Sequence, residues 1–328
     1  MLQKFFSLVL LVSLAPVVLA ETVDTPYGKS SIDLPLHKVP NAPVYYLVGK
    51  SGVPGTENEG MTSNAGFVVT EKGVLVYDSL GTPVLGYRLL QAIRQVTQKP
   101  VVIVVAGHYH ADHIYGLQAF REHTKAVIWA QQDSRLYLES ANARQRLQQR
   151  QEALFPWVDE TTYIVRPDHT FKDRHSFQMG DTDIELIHAG PAHSPDDTIM
   201  VVKKYGVIFS GDLIFGGRLP FLQGDEVNTR NWLKGLDYLQ QLKPRPRFIV
   251  PGHGSADANP IKAIRFTRGY IDFLRTNMGK AVDDLTDFET AYKQTDWSSY
   301  KTVPTFRAAN HGNAYQVYLE MEKELLNQ

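Results

Sequence analysis

Residues 108–113 read HYHADH and bring three imidazoles and one carboxylate together within one short segment. Imidazole nitrogens and carboxylate oxygens are the donors expected around zinc and, to a lesser degree, around iron, manganese or nickel. Four such side chains crowded into six residues need a reason that packing alone does not provide. We therefore interpret His108, His110, Asp112 and His113 as metal ligands.

The elements on either side of this segment predict how it is held. Residues 101–107 form a short, β-branched run closed by a glycine, which is the pattern of a buried strand that ends in a turn. The first two histidines are two residues apart, so they would point to the same side of extended backbone. The aspartate and the last histidine follow where the chain turns into a helix, expected over 114–122, and can face a second point. One segment can therefore supply ligands to two metal ions.

Three further segments have the same layout, an apolar strand that ends in a glycine-rich turn followed by a candidate ligand. They lead to His193, to Asp212 and to His253, and each of the last two directly follows a glycine. Asp78 ends another apolar run. Ligands at the carboxyl ends of strands lie where α/β folds usually place their sites. His188 ends one of these strands as a lone histidine, and we interpret it as a structural residue.

Taken in order, these positions resemble the motifs of the metallo-β-lactamase-fold hydrolase superfamily: an acidic strand end, HxHxDH, a lone histidine, a Gly-Asp pair and a Gly-His pair. The resemblance covers about residues 40–255. It implies that His108, His110 and His193 bind a first metal. Asp112, His113 and His253 would bind a second metal, and Asp212 would bridge the two. Asp78 would lie beside the site and orient a ligating imidazole rather than bind metal.

By the same resemblance, the site would hold two zinc ions per chain, with iron or manganese as the alternative. Two such ions lower the pKa of a shared water toward ~7, and the resulting bridging hydroxide attacks an acyl or phosphoryl centre. Asp112 and Asp212 would be the catalytic carboxylates because they hold the ions around that hydroxide. The expected function is a hydrolase that cleaves an ester, a thioester or a related acyl bond.

The surroundings of Asp212 bear on the substrate. An aspartate there resembles thioesterase-type sites more than the cysteine or serine variants typical of lactamases, and the chain has no cysteine. Phe215 stands where cysteine-type lactamases tend to carry a lysine for the substrate carboxylate. β-Lactamase or lactonase activity stays open as an alternative, as does a non-catalytic exported metal-binding protein. The overall resemblance is to exported glyoxalase-II-like hydrolases associated with sulfur oxidation or quinoprotein systems.

Arg218 follows Asp212 by six residues, across a glycine pair at 216–217 that lets the backbone approach the metals. A guanidinium there could pair with a carboxylate, sulfonate or phosphate of the substrate. The alternative is an arginine that packs its stem on the surface and meets solvent. We treat Arg218 as a candidate substrate-binding residue.

The order of the expected elements predicts an α/β fold, a four-layer αββα sandwich with two facing sheets between outer helices. The expected strands are residues 44–48, 65–70, 74–78, 101–107, 163–165, 170–171, 176–179, 184–187, 198–203, 207–209 and a strand around 249. The expected helices are residues 84–97, 114–122, 132–153, 231–242 and 314–326. The chain would divide into a signal peptide (1–20), an irregular lead-in (21–43), a metallo-β-lactamase-like domain (44–258) and a helical C-terminal extension packed on it (259–328).

The N-terminus has the pattern of a secretory signal peptide: a lysine, an apolar run over residues 5–20, and small residues before an expected cut after Ala20. The alternative is an uncleaved anchor, but the apolar run is shorter than the roughly 20 residues that a spanning helix needs. A chain exported without cysteines, and so without disulfides, suits a bacterial periplasm, with secretion as the alternative.

The composition excludes some classes of partner. The net charge of −1 provides no basic surface for nucleic acid or anionic lipid, and 43% hydrophobic residues in a chain of 328 suffice for a large core. The expected partner is a small-molecule substrate, without nucleic acid and without stable membrane insertion after signal cleavage. The oligomeric state stays open.

Overall fold

The structure is a computed structural model that describes residues 22–222, 224 and 226–327. The predicted signal peptide, residues 1–20, lies outside the described residues. Within them, none of the helices combines the length and the apolar character that crossing a membrane requires.

The described chain begins with a hairpin of two short strands, β1 (Val23–Thr25) and β2 (Gly28–Ser30). Gly28 allows this tight turn because its φ of 119° lies in a region that side chains disfavour. A third strand, β3 (His37–Lys38), joins the edge of the first large sheet. The expectation that residues 21–43 are irregular is wrong for these three strands. It rested on the prolines of the segment and overlooked the turn at Gly28.

The first large sheet has seven strands in the order β3-β4-β5-β6-β7-β8-β9. The strands after β3 are β4 (Val44–Leu47), β5 (Ala65–Thr70), β6 (Gly73–Tyr77), β7 (Val101–Val105), β8 (Val127–Gln131) and β9 (His169–Phe171). Pairing is antiparallel from β3 to β6 and parallel from β6 to β9. Parallel pairing brings the carboxyl ends of β6 and β7 to one edge, so the loops that follow them meet there.

The second large sheet has five strands in the order β10-β11-β12-β13-β15. These are β10 (Arg174–Met179), β11 (Thr182–His188), β12 (Thr198–Val202), β13 (Val207–Phe209) and β15 (Phe248–Val250). A separate parallel pair is formed by β14 (Phe215–Gly216) and β16 (His253–Gly254). This pair holds the loops after β13 and β15 side by side.

Nine α-helices lie within the described residues: α1 (Pro83–Val96), α2 (Ala111–Ile114), α3 (Leu117–His123), α4 (Ser134–Leu138), α5 (Ala141–Ala153), α6 (Thr229–Gln241), α7 (Pro260–Asp283), α8 (Phe288–Gln294) and α9 (Phe306–Leu326). A break at Gly116 separates α2 from α3, where a Cβ would lie 1.9 Å from the carbonyl oxygen of Ser79. The single helix predicted over 114–122 is therefore split.

Neighbouring residues on one strand point into different cores, as the two-residue period of a strand requires. Leu75 packs between the two large sheets with Phe209 of the second sheet, whereas Val76 packs with Leu89 of α1 on the outer face of the first sheet. Helices α6 and α7 cover the outer face of the second sheet, where Trp232 shares a buried cluster with strand residues. The layers are therefore helix, sheet, sheet, helix, and the predicted αββα fold is confirmed.

The C-terminal region is helical: α7 packs against α6 and β15, and α8 and α9 pack against α7. Trp232 of α6 and Val317 of α9 belong to one buried cluster. Helix α9 begins eight residues before its predicted start. Tyr315 of this helix is 47% exposed, whereas two asparagines of the same helix, Asn310 and Asn313, are buried.

Two other predicted elements differ from the structure. Residues 163–165 form no strand, and the Val165 carbonyl instead accepts a hydrogen bond from the Tyr109 hydroxyl at 3.0 Å. The helix predicted over 132–153 is two helices, α4 and α5. Ser140 interrupts it because its side chain accepts a backbone N–H bond at 3.1 Å and so caps a new N-terminus.

Candidate metal centre

Seven side chains converge where the loops of the two large sheets meet. They come from five places in the chain: His108 and His110 after β7, Asp112 and His113 in α2, His193 after β11, Asp212 after β13 and His253 in β16. Their ligand atoms lie within 4.8 Å of one another in three overlapping groups: His108, His110 and His193; His108, His113 and Asp212; Asp112, His113 and His253. The structure thus brings together all seven residues that the sequence motifs named as ligands.

Asp212 lies between the two predicted ligand sets. Its Oδ2 is 3.2 Å from Nε2 of His193 and 3.2 Å from Nε2 of His253, and its Oδ1 is 3.3 Å from Nε2 of His113. Burial alone would raise the pKa of this carboxyl, but the three imidazoles outweigh burial and hold the pKa well below its usual range. Asp212 is therefore ionised at neutral pH and offers an oxygen toward each set.

Hydrogen bonds fix the tautomers of two histidines. Nδ1 of His253 lies 2.7 Å from the Thr62 carbonyl oxygen, and a carbonyl only accepts, so this nitrogen carries the proton. Nδ1 of His113 lies 2.8 Å from Oδ2 of Asp78 and donates to it for the same reason. Both rings therefore turn Nε2, the nitrogen left for metal binding, toward Asp212. Burial lowers the pKa of His113, but Asp212, Asp78 and Asp112 outweigh burial and raise the pKa well above 6.5, so a metal that binds Nε2 must displace a proton.

Asp78 is in none of the three ligand groups and contacts His113 at Nδ1, the ring nitrogen that faces away from Asp212. Its Oδ1 accepts a hydrogen bond from the Gly107 backbone N–H at 2.6 Å, and its Oδ2 faces His113. Its backbone has a φ of 60°, a left-handed conformation that is uncommon for a residue other than glycine. Burial raises the pKa of the Asp78 carboxyl, and His113 opposes that shift. The structure places Asp78 beside the site, where the sequence motif put it.

Several buried ligand atoms have no hydrogen-bond partner among the described residues: both ring nitrogens of His108, Nδ1 of His193, Nε2 of His113 and Oδ1 of Asp212. Buried polar atoms without partners cost free energy, and a divalent cation would provide the missing partner. Burial lowers the pKa of His108 well below 6.5, that of His110 to about 3 and that of His193 to about 4. These imidazoles keep free lone pairs at neutral pH, so the residues fit a metal site.

The polar run Thr62-Ser63-Asn64, just before β5, holds this centre together and was missed in the sequence. The Thr62 hydroxyl donates to Oδ2 of Asp112 at 3.1 Å, and the Ser63 hydroxyl donates to the Asp112 carbonyl. The Asn64 amide donates to the carbonyls of Pro251 and Gly254 at 2.8 and 2.9 Å, next to His253. Three consecutive polar residues before an apolar strand were the available signal.

Arg218 is buried, with 1% of its surface exposed, so the alternative of a solvent-facing surface arginine is wrong. Its guanidinium packs over the rings of Phe215 and Phe221, 5.7 and 5.4 Å from their centroids. Nη1 lies 3.3 Å from Nδ1 of His253, but that nitrogen already donates to a carbonyl and cannot accept. Nη2 has no hydrogen-bond partner among the described residues. The substrate-binding role of Arg218 stays a prediction.

A pocket of about 530 Å³ opens above these residues, within the size range of small-molecule sites. Its floor consists of ligand residues: His110, Asp112, His193, Asp212 and His253. The lining also includes Phe215, Arg218, Phe221 and Val227, together with one side of α5: Asn142, Gln145, Arg146, Gln149 and Arg150. Phe215 stacks flat on His253, with ring centroids 5.2 Å apart. His188 lies outside the pocket lining, and its Nδ1 is 3.0 Å from the Gln131 side-chain amide.

The sequence is similar to that of a known family and of several characterised proteins. The family description "Metallo-beta-lactamase superfamily" matches residues 59–253. The metallo-beta-lactamase type 2 of Elizabethkingia meningoseptica is 25% identical over 194 residues, which are 58% of this chain and 68% of that protein. The probable metallo-hydrolase YqgX of Bacillus subtilis (strain 168) is 23% identical over 58% of this chain and 85% of its own length. The linear primary-alkylsulfatase of Pseudomonas sp. (strain ATCC 19151) is 22% identical over 66% of this chain and 48% of its own length.

Solved structures show the same fold. A metallo-beta-lactamase from Pontibacter korlensis has a TM-score of 0.58 at 19% identity, covering 73% of this chain and 99% of that one. The stereoselective inverting sec-alkylsulfatase Pisa1 from Pseudomonas sp. has a TM-score of 0.68 at 16% identity, covering 88% of this chain and 50% of that one. Residues 1–259 are about four fifths of the chain, so a match that covers 88% of the chain must include part of the helical C-terminal region.

Proposed function

The chain belongs to the metallo-beta-lactamase superfamily and is a metal-dependent hydrolase, and on that premise we propose that it holds two zinc ions and hydrolyses an ester or thioester. The observation that carries the proposal is the position of Asp212, whose two oxygens lie 3.2–3.3 Å from imidazole nitrogens of both ligand sets. One carboxylate that serves two sets is the arrangement that a dinuclear centre needs.

The first ion would be held by His108, His110 and His193, and the second by Asp112, His113 and His253, with Asp212 shared. When bound, two zinc ions supply a nucleophile by lowering the pKa of a water toward ~7, and they polarise the bond under attack. The chain contributes the geometry. Asp78 and the Thr62 carbonyl keep protons on the outer nitrogens of His113 and His253, so the inner nitrogens are the ones left to ligate.

The surrounding residues support an acyl substrate. Position 212 carries a carboxylate, as in the thioesterase-type sites that the sequence resembles, and the chain has no cysteine that could serve as a ligand of the lactamase type. Arg218 lines the pocket, and its Nη2 has no hydrogen-bond partner among the described residues, so this guanidinium is available to bind the substrate or charge that develops on it. Phe215 covers one face of His253 and shields that ligand from water.

A second candidate is hydrolysis of a sulfate ester. The relative named linear primary-alkylsulfatase favours it, and three arginines, Arg146, Arg150 and Arg218, line the pocket. The relatives named metallo-beta-lactamase keep lactam hydrolysis as a further activity to measure.

The test is turnover of a substrate panel by the zinc-loaded protein, before and after treatment with a chelator. The panel contains para-nitrophenyl acetate, S-phenyl thioacetate, a γ-lactone, nitrocefin, bis(para-nitrophenyl) phosphate and decyl sulfate. We expect the ester or thioester to be cleaved fastest, with activity lost on chelation and restored by zinc. Faster cleavage of decyl sulfate or nitrocefin would show that the substrate is a sulfate ester or a lactam rather than an acyl ester. Turnover that survives chelation would contradict the metal mechanism.

We also propose that the protein is exported and acts on a small molecule. The support is the apolar N-terminal sequence and the small-molecule size of the pocket. Mass spectrometry of protein recovered from the periplasm should give a mature chain that begins at Glu21. An intact Met1 terminus would support the membrane-anchor alternative.

A further inference from the structure

Helix α5 presents a donor-rich face to the pocket. The residues of α5 that line the pocket follow the spacing of one helix face, i, i+3, i+4, i+7 and i+8: Asn142, Gln145, Arg146, Gln149 and Arg150. None of the five is acidic, and the acidic residue of the helix, Glu152, does not line the pocket. Only Ala143 of this helix is buried, so packing does not explain the choice of residues on the pocket side.

Among the described residues, neither Arg146 nor Arg150 on this face forms a side-chain hydrogen bond or an ion pair within 4.0 Å. Arg121, by contrast, is paired with Asp168 at 2.9 Å. Arg150 is half-buried, and burial lowers the pKa of its guanidinium, an effect that Asp112 opposes. A cation withdrawn from water without a partner costs free energy, so an anion from outside the chain would stabilise this face.

The position of the arginines separates them from the reacting centre. Arg150 is the inner one, because it is half-buried in the pocket lining whereas Arg146 is exposed. Arg146 is one turn away along α5, about 6 Å at a rise of ~1.5 Å per residue. An anion held by this pair would therefore belong to a part of the substrate that lies beside the metal ligands rather than between them.

We propose that α5 selects substrates that carry an anionic group, a carboxylate, sulfonate or sulfate, on the part that is not cleaved, and that Arg150 and Arg146 bind that group. This inference rests on the proposed function because it names the class of substrate for the same pocket. Arg218 is separate in sequence from this pair and lies next to the ligand His253.

The test measures binding without turnover, so it can succeed or fail independently of the hydrolytic activity. The probe is benzenesulfonate, and methyl phenyl sulfone is its uncharged counterpart of similar shape. Binding to the zinc-loaded full chain is measured by calorimetry for wild type, Arg150→Gln, Arg146→Gln and Arg146→Glu. Arg144→Gln is the matched control because Arg144 lies on the same helix, is exposed and does not line the pocket. Metal content and thermal midpoint are recorded for each variant.

Arg150→Gln should weaken benzenesulfonate binding by about tenfold, the loss expected for one hydrogen bond to a charged group. Arg146→Gln should weaken it by up to about fivefold because that guanidinium is exposed, and Arg146→Glu should weaken it more. The sulfone should bind all variants alike, and wild-type binding of the sulfonate should weaken as salt is raised.

Unchanged sulfonate binding in both the Arg150→Gln and Arg146→Glu variants would overturn the proposal. Equal losses for the sulfone would show that the arginines shape the wall, and an equal loss in Arg144→Gln would show a diffuse effect of net charge; either result also overturns it. Should Arg150→Gln fold poorly, the exposed Arg146 variants and the salt dependence still decide the question.

Discussion

Asp78 and His113 are joined by a hydrogen bond of 2.8 Å between Oδ2 and Nδ1, at the base of the second ligand set. The other oxygen of Asp78 is occupied by the Gly107 backbone N–H. Both oxygens therefore act as acceptors. The carboxylate fixes the ring orientation of His113 and the nitrogen that carries its proton, so it controls a ligand without being one.

Asp78→Asn should weaken binding at the second ligand set by about 10–100-fold, the usual loss when the partner of a ligating histidine is removed. The amide has a single acceptor oxygen for two donors, so one of the two hydrogen bonds must be lost. Metal content after dialysis against a competing chelator measures the effect, and Asp183→Asn, an exposed change on β11, is the control. Equal loss of both metals would contradict the assignment of Asp78 to His113.

Asp212→Asn should leave about one metal ion per chain where wild type holds two. The substitution removes the shared negative charge, while the first set keeps three imidazoles. Plasma mass spectrometry of metal-saturated, desalted protein gives the stoichiometry. A wild-type protein that holds a single tightly bound ion under saturating zinc would sink the dinuclear proposal.

Arg218→Ala should raise the Michaelis constant for substrates in which an anion lies close to the ligands, while metal content stays unchanged. The expected loss is about 1.5–3 kcal/mol, the range for a hydrogen bond to a charged group. The measurement compares matched anionic and neutral esters. If both esters lose activity equally, Arg218 supports the loop and does not recognise the substrate.

Two buried carboxyls near His193 should make stability depend on pH. Burial raises the pKa of Asp196 to about 7 and that of Asp197 to about 8, so in the folded protein they keep protons that the unfolded chain releases above about pH 4. The protonated carboxyls therefore contribute their whole share of the free energy of unfolding in acid. That share falls by about 1.4 kcal/mol per pH unit for each group as the pH rises from about 4 to the pKa of the group in the folded protein.

Asp197→Asn tests this linkage because the amide cannot ionise and can still bond Ser194, whose N–H and hydroxyl both contact Asp197 at 2.8–2.9 Å. Urea unfolding at pH 5, 6, 7 and 8 should show the variant gaining stability relative to wild type as pH rises. Taking the difference between the two proteins removes the pH dependence that metal binding adds to both. A difference that is constant across this range would contradict the raised pKa.

The metal ligands could be predicted from the sequence because each follows an apolar strand and a turn, and the fold brings such strand ends together. The side of α5 that faces the pocket could not be predicted in the same way. Helix α5 buries only Ala143, so it has no apolar periodicity that would show which side faces the protein. The burial of Arg218 was equally hidden, because it depends on Phe215, Phe221 and a C-terminal region distant in sequence.

That distant region also holds the loop that carries Arg218. Asn313 of α9 accepts a hydrogen bond from the Leu222 N–H at 2.8 Å and donates to the Pro220 carbonyl at 2.7 Å, and the Thr305 hydroxyl donates to the Leu219 carbonyl at 2.8 Å. The loop is therefore held by α9 and its N-cap, through residues that do not line the pocket. A substitution in this last helix can thus move the guanidinium of Arg218 while every metal ligand stays unchanged.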